Sequence, residues 1–219
     1  MSRAQDRYEA LVSVWIDTAE SFGLRCETFA PPPPAGRLAR LGQHFSGKAA
    51  GVQFGRGRIG HVLTGQIDGI VITVVAGTET REGGGDNVNV SEITHYRAAA
   101  PWLPAELRIG PRRPGVKDRL RYHNGETVGW EWIDIDGATD LLVRARDQSM
   151  ARSWLDRPRA QVLRSAFSAR IDLRMADGGI ETDSNEVEAD ASVLTSNLRA
   201  VHDLALRLRE TGASDLSVG

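Results

Sequence analysis

The sequence predicts an α+β protein: antiparallel sheets with helices packed on one face, and a long C-terminal amphipathic helix. Three observations predict it. Residues 191–210 place Val193, Leu194, Leu198, Val201, Leu204, Ala205 and Leu208 at three- and four-residue steps, the period of one helix face. "IVITVVAG" follows an Asp-Gly pair, the dipeptide that supplies the positive φ angles of a tight hairpin. From residue 141 onward the pattern reads strand, two helices, hairpin, helix.

Taken in order, "AQDRYEALVSVWIDTAESF" (4–22) sets Tyr8, Leu11, Val12, Trp15, Ala19 and Phe22 at helical spacing, ending near Gly23. "LRCETFA" follows as a short strand. "PPPPAG" lacks amide donors and favours polyproline II, so it serves as a stiff connector. "RIGHVLTGQI" and "IVITVVAG" form a hairpin about Asp68-Gly69, and "NVNVSEITHY" makes a third strand. "IVITVVAG" is apolar on both faces, which calls for a central strand or cover from a second subunit.

A short strand at 107–109 precedes an irregular, Pro- and Gly-rich stretch. Then come a strand at "DLLVRAR", a helix capped by Asp147, and a second helix with Pro158 in its first turn. "ARIDLRMADGGIETDSNEV" is a hairpin on a glycine-rich turn with Ile171, Leu173 and Met175 on one face. The last helix is expected to stop at Gly212. This gives an N-terminal region (1–100), a basic and aromatic connector (101–132) and a C-terminal region (133–219), or one continuous domain.

Composition narrows the function classes. With 219 residues, 41% hydrophobic and 26% charged, the chain suits a globular protein with a sizeable core. A net charge of −2 exerts no global pull on nucleic acid or anionic lipid. The amino terminus lacks the apolar core of a signal peptide, and no apolar run approaches the ~20 residues of a membrane span. A single cysteine, Cys26, excludes an internal disulfide and a thiolate zinc site. A cytoplasmic bacterial protein is expected.

Motifs for phosphate, metal and nucleophile chemistry are incomplete. In "REGGGDNVNV" the glycines lead to Asp86 and Asn87 rather than the Lys-Ser/Thr of a phosphate loop, and valines follow instead of a helix. "WIDIDGATD" resembles the nucleophile motif of haloacid-dehalogenase-type phosphatases, with Asp134 and Asp136 in the places of nucleophile and acid/base. It departs from that pattern at Ala138, which stands between Gly137 and Thr139, and no lysine lies downstream. Read as a calcium loop, the same string has its glycine at the fourth position and Ala145 at the twelfth. His44, His61, His95, His123 and His202 form no HxH or HExxH pair, and no G-x-S-x-G elbow occurs. No cofactor is implied.

The charge pattern says more. Six basic residues, Arg108, Arg112, Arg113, Lys117, Arg119 and Arg121, meet one acid, Asp118, before Tyr122 and His123. "DGGIETDSNEVEAD" carries six acids and no base, so internal neutralisation is one fate for that basic stretch. Trp102, Trp130 and Trp132 border the irregular segment, and the latter two share a face if "GWEWIDI" is a strand.

Residues 133–208 resemble a group of uncharacterised bacterial α+β proteins, through "GATDLLVRA", "ARSWLDRPRAQVL", "IDLRMADGGIE" and "LRAVHDLALRL". The resemblance implies the same order of elements and brings no catalytic residue with it.

These features lead to an expected function. The chain reads as a non-catalytic binding or adaptor protein engaging another protein through Arg112, Arg113, Lys117, Arg119, Arg121, Tyr122, Trp130 and Trp132. The alternatives are a hydrolase using Asp134, Asp136 or a histidine, and nucleic-acid binding through the arginine-rich loop. A second copy of the chain is a further candidate partner.

Overall fold

Tight turns form where the sequence supplies residues able to take a positive φ. The computed structural model describes residues 3–29, 48–49, 52–53, 56–82, 88–112, 130–135, 138–170 and 172–215. Within them, α1 (Arg3–Phe22) ends at Gly23, whose φ is 64°. The Leu24 amide donates to Ala19 O at 2.8 Å and the Gly23 amide to Glu20 O at 3.2 Å, which satisfies carbonyls the helix end would otherwise orphan. β1 (Arg25–Thr28) follows directly.

β4 (Arg56–Ile67) and β5 (Ile70–Glu82) are joined by Asp68 and Gly69, at φ 52° and 79°. That conformation matches the right-handed twist of paired strands. The same chemistry recurs between β10 (Arg174–Ala176) and β11 (Gly179–Ser184), where Asp177 and Gly178 sit at 49° and 73°. With β6 (Val88–Ala99), β7 (Leu107–Pro111), β8 (Glu131–Ile133) and β9 (Leu141–Ala145), these strands form a nine-stranded antiparallel sheet. Its order is β1-β4-β5-β6-β11-β10-β7-β9-β8, and β2 (Lys48–Ala49) pairs separately with β3 (Val52–Gln53).

Three helices follow β9. Asp147 caps α2 (Gln148–Trp154) by accepting from the amides of Ser149 and Met150, at 2.8 and 3.0 Å. Asp156 caps α3 (Arg157–Ala169) in the same way, with Pro158 in its first turn. α4 runs from Ala191 to Asp215 and therefore continues through Gly212, contrary to the stop expected there. Glycine in a helix interior costs only about 1 kcal/mol relative to alanine, and the apolar stripe up to Leu208 outweighs it. Ile171, the polyproline run and the glycine loop of 83–87 lie outside the described residues.

The chain divides into two compact units. The first comprises Met1–Ile67, Val71–Tyr96 and Asp183–Arg199. In its core α1 packs on β1 and β4, with Trp15 and Leu63 fully buried. Ile72, Val74, Val75 and Ala76 are also fully buried, so β5 is a central strand. Val71, near its start, is 50% exposed.

The second unit comprises Asp68–Ile70, Arg97–Thr182 and Ala200–Gly219. α3 packs on β7, and Leu107, Ile109, Leu163, Met175 and Ile180 are buried there. Each such side chain contributes about 1.5–3 kcal/mol by leaving water. No helix among the described residues is long and apolar enough to cross a membrane.

Candidate functional site

Strand register in the second unit sorts its side chains onto two faces. Met175 lies opposite Ile109, and Ile109 opposite Val143, which makes one face apolar. Side chains alternate along a strand, so the neighbouring residues form the other face. There Arg174 lies opposite Glu181, Arg108 opposite Arg144, and Arg144 opposite Trp132. One face is thus hydrocarbon and the other is built from guanidinium, carboxylate and indole groups.

Those arginines are deeply placed. Arg108 and Arg144 are 3% and 4% exposed, and like charges directly opposite each other repel across the strands. Two kinds of contact offset the repulsion. Arg108 donates through Nε and Nη2 to Asp177 Oδ1, at 3.3 and 3.1 Å. Its guanidinium also lies 4.2 Å from the Trp130 ring centroid, and that of Arg144 lies 5.1 Å from the Trp132 ring. Arg144 Nη2 donates to the Trp130 carbonyl at 3.1 Å, anchoring the backbone that carries both indoles. Nearby, Glu181 accepts from Arg97 and from Arg174, so one buried carboxylate serves two cations.

The residues expected to bind a partner are distributed as follows. Arg108 belongs to buried β7 rather than to a loop, and it pairs with the acidic hairpin through Asp177. Arg112 is half-exposed just beyond β7; its Nη2 donates to Asp134 Oδ1 at 3.2 Å. Trp130 is buried, whereas Trp132 is 37% exposed on β8, at the end of the sheet order. Arg113, Lys117, Arg119, Arg121 and Tyr122 lie outside the described residues.

The described residues of the hydrolase and calcium readings are placed as follows. Asp134 faces solvent in its pair with Arg112, and Asp140 is held by Arg164 Nε at 2.8 Å. Asp136, His44 and His123 lie outside the described residues. His61 is buried in the first unit against Tyr8 and Trp15. His202 lies within 3.0 Å of Asp203 and 3.3 Å of Asp68. Among the described residues, no group of three or more His, Cys, Asp and Glu side chains is placed to hold a metal ion.

Sequence reading missed two polar clusters. His95 Nδ1 lies 2.6 Å from Asp183 Oδ1 in the first unit, across 88 residues of chain. The Arg97–Glu181–Arg174 cluster in the second had a partial signal. A two-residue turn at Asp177-Gly178 forces Arg174 opposite Glu181, because both stand three residues from it.

No family model matches the chain, and no curated protein sequence matches it. Among solved structures, the chain is similar to the crystal structure of the mycobacterial trehalose monomycolate transport factor A, TtfA. The identity is 15% and the TM-score 0.50, over 91% of this chain and 95% of that one. At that identity the likeness is one of fold: the chain shares its α+β architecture with this transport factor.

Proposed function

We propose that the chain is a non-catalytic binding module, an adaptor of the cytoplasm, that engages another protein along the β8 edge of its second unit. The observation that carries this reading is Trp132. A large indole is left 37% exposed on a terminal strand while a buried guanidinium, Arg144, lies 5.1 Å from its ring centroid. A tryptophan already held in place loses little rotamer entropy when a partner covers it, which is how binding hot spots concentrate energy. Arg112, half-exposed on the same unit, supplies a polar rim. Arg113, Lys117, Arg119, Arg121 and Tyr122 follow it in sequence and belong to the same proposed partner-binding set. The solved neighbour is a transport factor, which accords with a role other than catalysis.

The test is affinity capture from a lysate of the source organism with wild type, Trp132→Ala and Arg112→Ala/Arg113→Ala. Both variants are expected to keep the wild-type melting temperature and to lose the captured protein. Capture unaltered by either substitution would sink the reading.

A further inference from the structure

The buried end of this same face has hydrogen-bonding capacity that the described residues leave unused. Of the tryptophans, Trp15 donates its Nε1 hydrogen to Glu188 O at 2.8 Å, Trp102 to Ala205 O at 3.0 Å, and Trp154 to Trp102 O at 3.4 Å. Trp130 is only 8% exposed, yet among the described residues its Nε1 has no acceptor. Arg108, 3% exposed, uses Nε and Nη2 on Asp177, and its Nη1 likewise has no acceptor among the described residues. The two groups are in contact, guanidinium over indole at 4.2 Å. Buried donors are nearly always satisfied, so two such orphans in touching side chains mark a place where an acceptor belongs.

We propose that Arg108 and Trp130 form a receptor for a carboxylate, presented by an acidic segment of the protein partner. This rests on the proposed binding function and names the chemistry of what is bound. Both donors are N–H groups and one is cationic, which selects an anionic acceptor and rejects an ammonium group. A second guanidinium, that of Arg146, lies 5.5 Å from the same Trp130 ring and adds to the positive field.

The depth of the donors decides between anions. A carboxylate at the tip of a glutamate or aspartate side chain can reach a buried pair, whereas a nucleic-acid phosphate is fixed in its own backbone. The site already accommodates one carboxylate, that of Asp177, on the other edge of the Arg108 fork. Because both donor atoms are shielded in the unliganded chain, the Trp130 ring must shift on binding, so its fluorescence reports occupancy.

The experiment titrates the full chain with fluorescein-labelled octaglutamate, with octalysine and an oligothymidylate as controls. The variants are Trp130→Phe, which keeps the ring over Arg108 and removes only the N–H, and Arg108→Lys, which keeps the charge and removes the fork. Folding of each is checked by thermal melting. Octaglutamate is expected to bind and to change the tryptophan emission, octalysine to do neither. Trp130→Phe is expected to weaken octaglutamate binding by about five-fold, the value of one hydrogen bond, and Arg108→Lys by more than that.

Octaglutamate binding that is absent, or equal in wild type and folded Trp130→Phe, overturns the proposal. Preferential, Trp130-dependent binding of the oligothymidylate overturns it in favour of a phosphate ligand. Each of these outcomes leaves the capture result with Trp132→Ala standing, so failure of the carboxylate site is distinguishable from failure of the binding function.

Discussion

Trp15 and His61 stack in the first unit, with ring centroids 5.2 Å apart and planes inclined by 29°. Tyr8, two helical turns earlier, closes on the same imidazole at 6.1 Å, so α1 is docked on β4 through a histidine. Burial lowers the pKa of that histidine below its ordinary value, because the charged form is denied water. The unfolded chain therefore takes up a proton first as the pH falls. Stability contributed by neutral His61 is present above about pH 6.5 and is lost as the pH drops through the folded pKa. Urea unfolding at about pH 7.5 and about pH 5 should show the wild type losing stability, and His61→Phe losing less. Equal losses in the two proteins would remove His61 as the cause.

Glu188 carries the opposite sign. It is 2% exposed, and burial raises its pKa, reinforced by Glu186 and Asp190 and opposed by a hydrogen bond with Ser184. A carboxyl group whose folded pKa is raised contributes stability below the ordinary carboxylate range, and that contribution is lost as the pH rises through the folded value. Glu188→Gln should therefore be more stable than wild type near neutrality. The difference should close at about pH 4, where the wild-type carboxyl is itself protonated. Thermal melts across that range give the comparison directly.

Glu181 should be among the costliest single positions in the second unit. Its side chain is 4% exposed and accepts from Arg97 and Arg174, whose side chains are 18% and 11% exposed. Removing the carboxylate strands two largely buried cations, for which about 3–5 kcal/mol is the usual penalty. Glu181→Gln measured by urea denaturation is expected to fall in that range. A loss below about 1 kcal/mol would mean that the cluster is exchangeable with water.

Two glycines of similar sequence context should respond with opposite sign to alanine. Gly23 has φ 64° and ends α1, where a Cβ is strained, so Gly23→Ala should destabilise by about 1 kcal/mol. Gly212 lies inside α4, and Gly212→Ala should stabilise by up to about 1 kcal/mol, less if the last turn frays. Melting temperatures of the two variants, moving in opposite directions, are the expected record.

The same pair shows what the sequence could and could not disclose. Periodicity announced α1 and α4, an Asp-Gly pair announced one tight turn and a glycine-rich stretch the other, because these signals are local. Whether a glycine ends a helix depends on what the following residues pack against, which a helical wheel does not contain. Arg144 reads as the polar member of an alternating strand, yet it is buried beside Arg108, which lies 36 positions earlier and is brought opposite it only by the pairing of β7 with β9. Of the expected partner-binding residues, Trp130 and Trp132 were legible as neighbours on one strand face and Arg112 as basic; that Trp132 is 37% exposed and Trp130 buried was not. The distinct environment of Trp130 was not, since it depends on a carbonyl contact and a guanidinium contributed by other strands.

One hydrogen bond bears on how the chain is made. The indole of Trp15 donates to the carbonyl of Glu188, 173 residues later, in a unit whose other strands are all in place by residue 96. During synthesis, α1 and its hairpin leave the ribosome long before the segment that completes their unit. Contacts of such separation slow folding, because the intervening chain must first be ordered. Through that interval the apolar residues of β5 lack the part of their unit that residues 183–199 supply. A nascent chain halted before residue 183 should then expose Trp15 to a water-soluble quencher, and one released past residue 199 should not.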